Sequence, residues 1–377
     1  MRVGIIGAGI AGLVAAYSLQ REGHDVSVYE RRAEPNVEGA GLTLFGNAFA
    51  ALDAIGLGER IRSIANNSLP RLRTGQRTPD GTWLTSMPQE TIGQLYSVHR
   101  VRLHEKLLRS LAPGTVHTGI EATVDVDGSP RLTLATTTET YDLVVVADGL
   151  RSQNRLRLGL DTGLDYSGYT AWRGVTSQPV DIAGTAAETW GRGKIFGFVP
   201  LPDNKLYWFG TRTVPANTTF HDEYQAVNDS FADWYDPIPE CIAATEPDDV
   251  LRHDVYDLHK PLSTFTRGQT VLIGDAAHAM LPNLGQGAGQ GIEDAVTLAI
   301  LLSQTGSHNI DGALARYARL RRPRTTRLWR QSRLMARIAQ ASNPLAVRLR
   351  NVGMRLTPPQ LIGPVTQQLH RWYPPEA

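Results

Sequence analysis

Three glycines near the start of the chain, Gly7, Gly9 and Gly12, form the pattern G-x-G-x-x-G. They follow a short apolar run, Arg2 to Ile6, and open a stretch in which Leu13, Ala16, Tyr17 and Leu19 repeat at helical spacing. In that setting Gly7 permits a tight turn, Gly9 lets the backbone approach a diphosphate, and Gly12 allows close helix–strand packing. The helix start then points unpaired N–H groups at an anion. Glu30 ends the next apolar run, Asp25 to Tyr29. A carboxylate there accepts both hydroxyls of an adenosine ribose and repels a 2′-phosphate, so the ligand expected is a dinucleotide with a free ribose diol, FAD or NAD.

A second cluster distinguishes the two. Ile273-Gly274-Asp275-Ala276-Ala277-His278 closes a buried run and leads into Pro282-Asn283-Leu284-Gly285-Gln286-Gly287-Ala288-Gly289 and a helix. Asp275 at a strand end suits a polyol hydroxyl. The glycine-rich helix start offers N–H groups and positive dipole to a second anionic centre. A reduced flavin carries negative charge along one edge of its ring, whereas a simple NAD domain has no use for such a late site. Asp148 and Asp275 also read as plain helix N-caps, and Arg100 as a surface ion-pair partner. His278 has no companion at metal-ligand spacing and reads as a hydrogen-bonded supporting residue; no metal is expected. No Ser-His-Asp set or catalytic carboxylate pair competes for the chemistry.

The elements needed to position these groups are legible. A strand, helix, strand opening favours a parallel sheet with helices on its faces. Leu143 to Ala147 is an unbroken apolar strand of the buried kind. Helices are expected over Asn47–Leu57 and Arg102–Leu111, with Gly23 stopping the first one. Asp127-Gly128 marks a hairpin between strands near Thr115–Val126 and Arg131–Thr138, and Pro79-Asp80-Gly81 a turn. From Gly168 to Arg267 helical stripes fade and aromatics cluster, which reads as a mostly β region. Val271–Ile273 returns to buried strand, followed by a long helix through Ile292, Val296 and Ala299. The remainder reads as Arg-rich helix broken at Pro323 and Pro344.

With 377 residues, 41% hydrophobic and 20% charged, the chain is an ordinary globular protein of two or three domains. One cysteine, Cys241, excludes disulfide scaffolds and cysteine zinc sites and points to a reducing cytoplasm. No apolar run is long enough for stable membrane insertion. The net charge of +1 hides an asymmetry: Gly312 to Pro375 holds 13 arginines and no acidic residue, so the rest is net acidic. The plain reading is that basic tail helices dock on an acidic body. A nucleic-acid or membrane face is the sharper one, and without aromatic interleaving no nucleic acid is expected.

The N-terminal glycines, Val144 to Ser152 (VVVADGLRS) and Gly274 to Ala295 (GDAAHAMLPNLGQGAGQGIEDA) together resemble the FAD-dependent aromatic hydroxylases, single-component flavoprotein monooxygenases built like para-hydroxybenzoate hydroxylase. Gly39 to Leu57, His99-Arg100 and Tyr169 to Val175 (YTAWRGV) are also similar, so the resemblance spans residues 1 to about 340. It implies an α/β fold: a Rossmann-like FAD-binding domain with a parallel sheet, a mostly β substrate domain and C-terminal helices. The implied division is 1–70, 98–167 and 268–310 for FAD, 71–97 and 168–267 for substrate, and 311–377 for the Arg-rich helices. By position, Gly7, Gly9, Gly12 and Glu30 would hold the ADP half, with Arg31 near the adenosine. Arg100 would contact the ribityl or diphosphate region. Asp148 and Gly149 match a motif used for both FAD and NAD(P)H, and Asp275 would bind the ribityl chain. Pro282, Gly285, Gln286, Gly287 and Ala288 would line the flavin ring, with Gly41 and Leu42 approaching from the other side. Where the family often has Asn, this chain has Gly289. Phe198 and Tyr207 are the expected pocket-wall residues.

The implied activity is hydroxylation of an aromatic or electron-rich ring through a C4a-hydroperoxyflavin, with O2 and transiently bound NADPH or NADH as co-substrates, by a monomer or homodimer. The alternatives are a related epoxidase or reductase, or an NAD-dependent dehydrogenase using only the N-terminal fold.

Overall fold

The computed structural model describes residues 1–34, 40–87, 93, 95–305, 309–358 and 368–376. Gly39, in the glycine-rich stretch singled out above, lies outside them. The opening unit forms as expected: β1 (Arg2–Ile6), α1 (Ile10–Arg21) and β2 (Asp25–Glu30). Gly23 ends α1 in the left-handed region, where a side chain is disfavoured. β3 (Gly41–Phe45), α2 (Gly46–Ala54) and α3 (Gly58–Arg62) follow, then β4 (Arg73–Arg77), β5 (Trp83–Ser86), β6 (Leu95–His99) and α4 (Arg100–Leu108). Next come β7 (Val116–Thr118), the meander β8 (Ala122–Val124), β9 (Arg131–Leu134) and β10 (Thr137–Thr140), and the apolar β11 (Leu143–Val146).

After α5 (Gln153–Arg157) the chain builds β12 (Leu164–Val175), β13 (Thr185–Trp190), β14 (Lys194–Pro200) and β15 (Leu206–Thr213). Two helices, α6 (Glu223–Phe231) and α7 (Ile238–Ala243), precede β16 (Leu251–Leu258). The chain closes with β17 (Thr266–Arg267), β18 (Thr270–Leu272), α8 (Asp275–His278), α9 (Gly287–Thr305), α10 (Ile310–Ala339) and α11 (Pro344–Leu356).

One sheet has the order β17-β18-β11-β1-β2-β7, and all its neighbours are parallel except β17. The chain leaves β1 toward β2 on one side, while β11 lies on the other. The crevice at the carboxyl ends of these strands is therefore the place where such sheets bind ligands. Glu30 ends β2, and Gly7, Asp148 and Asp275 follow β1, β11 and β18, all along that edge. The second sheet has seven strands, β16-β12-β15-β14-β13-β4-β5. β4 and β5 join it by parallel pairing of β4 with β13. β6 does not; it pairs with β3, Gly41 opposite His99, as a two-stranded ribbon between the two sheets.

The parallel sheet is packed with aliphatic residues, among them Val3, Ile5, Val144 and Val145. The seven-stranded sheet is covered on one face by α6 and α7 over an aromatic core of Trp172, Phe196, Phe198, Trp208 and Phe231. No helical stripe in the sequence announces α6 and α7; both are short, which gives their apolar positions little room to repeat.

α10 departs from expectation. It runs for 30 residues through Pro323 with no break. Proline removes one intrahelical hydrogen bond, but the flanking turns are locked. Arg321 is buried against two carboxylates, and the Thr325 hydroxyl donates to the Arg321 carbonyl at 3.0 Å. Pro344, by contrast, stands at the start of α11, where its missing N–H costs nothing.

Candidate active site

At the glycine turn, the chain itself requires two of the three glycines. Gly7 has φ 102°, and a Cβ there would lie 2.5 Å from the Ala147 carbonyl oxygen. A Cβ on Gly12 would lie 2.0 Å from the Gly7 carbonyl oxygen. Gly9 is different. Its φ is −76°, and a Cβ there would meet nothing within 4 Å. Nothing in the protein calls for glycine at that position, and the space beside it is open. The Glu30 carboxylate accepts the Ala8 and Arg32 N–H groups, each at 3.0 Å, and is held at the lip of the turn. Arg31 beside it is exposed. His104, from α4, bonds through Nε2 to the Ala8 carbonyl at 2.7 Å and braces the turn from behind.

The loops after β11 and β18 are tied together. Buried Arg155 donates to the Leu150 carbonyl at 3.0 Å and the Ala276 carbonyl at 3.2 Å, with Asp161 as its ion-pair partner at 2.6 Å. Asp148 accepts from the Asn154 amide through Oδ2 at 2.9 Å, while its Oδ1 is buried with no partner. Asp275 presents an exposed carboxylate toward the start of α9, with Oδ1 3.9 Å from where a Cβ on Gly287 would be. Ala288 follows one residue into that helix. The Pro282–Gly285 loop lies against β3: a Cβ on Gly285 would be 3.0 Å from the Phe45 ring. Tyr169, on β12, donates to Asn283 Oδ1 at 2.8 Å and joins this loop to the seven-stranded sheet.

Beneath the loop is a buried polar network. The Asn47 amide donates to Gln286 Oε1 at 3.0 Å and Glu293 Oε1 at 2.7 Å. Glu293 also binds Arg321 and Arg324, and Asp294 accepts from the Gly274 N–H at 2.8 Å, His278 at 2.5 Å and Arg321 Nε at 2.6 Å. Burial alone pushes both carboxyls up; for Glu293 the Arg321 and Arg324 charges outweigh it, for Asp294 the His278 and Arg321 partners do, and both titrate below the ordinary carboxylate range. The acidic pair therefore locks α8, α9 and α10 together and is occupied in doing so. Asn47 Oδ1 and Gln286 Nε2 remain buried and unpaired. The departure at Gly289 has a counterpart here, since Asn47 Nδ2 lies 3.2 Å from where a Cβ on that residue would be.

The face of the seven-stranded sheet opposite its aromatic core looks toward this loop. Tyr207 lies against β3 so closely that a Cβ on Gly41 would be 2.4 Å from its Cβ. Burial around the hydroxyl raises the Tyr207 pKa, with the charges of Arg173 and Arg100 pulling it back. Arg100 starts α4, its N–H on the Ala40 carbonyl at 3.0 Å, and Leu42 is half-buried on β3. Phe198 is not brought here. It points the other way, 2% exposed among Trp172, Phe196 and Trp208. On the far side, His370 stacks on Phe45 at 4.1 Å; burial and the Arg324 charge push it down to about 4, so the ring is neutral at neutral pH.

Sequence spacing does not single out His104, Asn47, Arg155, Arg173 or Arg321. Only Arg321 carries a visible signal, in the arginine-rich tail opposite an acidic body. The others reach the site through tertiary contacts that no local spacing announces.

A parallel sheet whose switch point carries an open glycine turn, a carboxylate at the end of the second strand and a second glycine-rich helix start defines a dinucleotide-binding oxidoreductase. The space at Gly9 and the unpaired Asp148, Asn47 and Gln286 atoms fit an extended flavin dinucleotide. The chain belongs to the family described as FAD binding domain, whose profile matches residues 1–332. It is 34% identical to the aurachin C monooxygenase/isomerase of Stigmatella aurantiaca, over 93% of each chain. It is also 34% identical to the 2-heptyl-3-hydroxy-4(1H)-quinolone synthase of Pseudomonas aeruginosa, over 95% of this chain and 94% of the relative. Klebsiella pneumoniae HpxO, solved with FAD and uric acid, superposes with a TM-score of 0.87 at 26% identity, covering 98% of this chain and 96% of that one. The protein is an FAD-dependent monooxygenase of the aromatic hydroxylase type, which sets aside the NAD-dependent dehydrogenase. Among the described residues no helix is long and apolar enough to cross a membrane.

Proposed function

We propose that this monooxygenase takes electrons from NADPH or NADH and inserts one atom of O2 into an electron-rich fused N-heteroaromatic ring of the quinolone type. The other oxygen atom leaves as water, balanced by the hydride from NAD(P)H and one proton. The observation that carries this reading is the sheet face at Tyr207, Phe209 and Arg173. Two flat rings with centroids 6.4 Å apart and a guanidinium suit a planar substrate bearing a carbonyl acceptor. The quinolone named in the relative above has that form.

Bound FAD supplies hydride acceptance and oxygen activation. The protein's own groups position and protect. The Gly7 N–H is taken by the Tyr29 carbonyl at 2.8 Å and fixes the turn; the open backbone at Gly9 and the first N–H groups of α1 would face the diphosphate, and Glu30 would hold the adenosine ribose beside Arg31. Asp148 Oδ1 and Asp275 would accept hydroxyls of the linking chain, near Arg100. Pro282, Gly285 and Gln286 close over one side of the ring site, with Gly41 and Leu42 opposite. The N-terminus of α9 at Gly287 and Ala288 places its positive dipole where negative charge gathers on reduction. The Tyr169–Asn283 bond holds the loop against the substrate sheet and excludes water.

The test is NAD(P)H oxidation and O2 uptake by the yellow, FAD-loaded protein in the presence of 4(1H)-quinolones, phenols and urate. Stimulation by a quinolone, with a product heavier by one oxygen atom, supports the proposal. Stimulation only by phenols or urate overturns the substrate class, and an epoxide or a hydrogenated product overturns the reaction type.

A further inference from the structure

α11 has two unlike faces. Inward, Arg350 donates to the Ala339 carbonyl at 2.9 Å and to the Trp190 and Gly191 carbonyls at 3.1 and 3.2 Å, and Met354 packs against the Trp190 cluster. Outward, Leu345, Leu349, Val352 and Leu356 form one stripe at four-three-four spacing, exposed by 65%, 64%, 46% and 75%. A helix on a globular protein normally turns such a stripe to the core. Single exposed apolar residues are ordinary; four in register are not. Arg348 and Arg355 flank the stripe, exposed. The last turns of α10 add exposed Leu334 and Ile338 with exposed Arg330 and Arg337.

At the start of α11 lies an open cavity of about 660 Å³ lined by Arg192, Lys194, Arg212 and the turn Ser342-Asn343-Pro344. Its cations meet only neutral acceptors: Arg192 the Ser342 carbonyl at 2.6 Å, Lys194 the Ser230 carbonyl at 2.9 Å, Arg212 the Ser230 hydroxyl at 3.4 Å. No carboxylate among the described residues forms an ion pair with them. Partial burial and the charge of Arg212 hold the Lys194 ammonium below its ordinary value, against the pull of Asp233. Pro344 lines the cavity and Leu345 begins the stripe, so the cationic hollow and the apolar face are continuous.

We propose that these two features form one docking surface for an anionic lipid bilayer, with headgroup phosphates at Arg192, Lys194 and Arg212 and the leucine stripe lying in the interface plane. Apolar residues backed by arginines are what an interfacial helix needs. The charge argues against the other occupants. A second copy on this face would set arginine against arginine, since residues 312–375 contain no acid to receive them. A nucleic acid would leave the leucines in water.

The experiment is co-sedimentation of the full, FAD-loaded chain with vesicles of phosphatidylcholine alone or mixed with phosphatidylglycerol. The protein is expected to pellet with the anionic vesicles and to release at high salt. Leu345→Glu/Leu349→Glu and Arg192→Glu/Arg212→Glu should each lower partitioning by about tenfold or more, with FAD content unchanged. If either pair fails to hold FAD, Arg348→Gln/Arg355→Gln serves instead, because those exposed side chains form no hydrogen bond or ion pair among the described residues, and should lower partitioning by several-fold. Several results would overturn the proposal: no binding by the wild type, equal and salt-insensitive binding to both vesicles, or variants that bind like wild type. A lipid-free dimer in sedimentation velocity that Leu349→Glu dissociates would show instead that a second copy covers the face. Tighter binding to duplex DNA than to vesicles would assign the surface to nucleic acid.

Discussion

The two sheets of this protein offer a ligand different means of recognition. At the parallel sheet, the proposed recognition is by backbone: glycine turns and helix starts offer N–H groups, and the side chains at the crevice are carboxylates at strand ends. Charge below that edge is buried and paired, as at Arg321, Glu293 and Asp294. At the seven-stranded sheet, the proposed recognition is by side chains on one face, while the other face is given over to an aromatic core. A ligand read by backbone constrains residue type at fixed spacing. A ligand read by side chains constrains only which face a residue occupies, and that depends on register.

This contrast can be broken at its strongest point first. Arg321→Met leaves Glu293 and Asp294 buried without their main partner and should cost about 3–5 kcal/mol in urea unfolding. The acid limb should change with it. Both carboxyls have lowered pKa values in the folded chain, so their contribution is complete above the unfolded value and is lost as pH falls through the folded ones. Wild-type stability should thus drop steeply below about pH 4, and less so in the variant. Equal acid limbs would mean the pair does not stabilise the fold.

The side-chain sheet comes next. Phe198→Ala should cost about 3–5 kcal/mol of stability, since it empties a packed core, and leave substrate selectivity alone. Tyr207→Phe should cost less than about 1 kcal/mol and shift the KM for the ring substrate. The reverse pattern, read by thermal unfolding and by stimulated NAD(P)H oxidation, would exchange the roles of the two faces.

The glycines sharpen the backbone side. Gly12→Ala should destabilise the apoprotein by about 3 kcal/mol or more, because its Cβ meets a carbonyl oxygen. Gly9→Ala should leave apoprotein stability within about 0.5 kcal/mol and still weaken FAD binding. A destabilised Gly9→Ala apoprotein would remove the ligand as the reason for that glycine. Smallest is Glu30→Ala, expected to weaken FAD retention by about 1–3 kcal/mol in flavin titration.

The same division decides what could be read from the chain alone. The first βαβ unit, the buried strand at Leu143, the strand at Val271 and the long helix after it all stand where periodicity puts them. Gly7, Glu30 and Asp275 lie at strand ends where their residue types and spacing put them, and Asp148 lies where the family resemblance puts it. Phe198 and Tyr207 look alike as aromatics in neighbouring strands, yet they lie on opposite faces. The β14–β15 register pairs Phe198 with Trp208 and Val199 with Tyr207, and that pairing sends one ring into the core and the other toward Gly41. Pro323 looks like a break, and the contacts of Arg321 and Thr325 carry the helix through it.

Local spacing thus determined the strands, the glycine turns and the kind of coenzyme, since those follow from backbone geometry within a few residues. Tertiary structure alone decided which aromatic faces the ring site, how Asn47 comes to lie beside Gly289, and where the arginines of the tail find carboxylates. Those depend on contacts between residues far apart in the chain, whose meeting is set by register and packing rather than by any pattern along it.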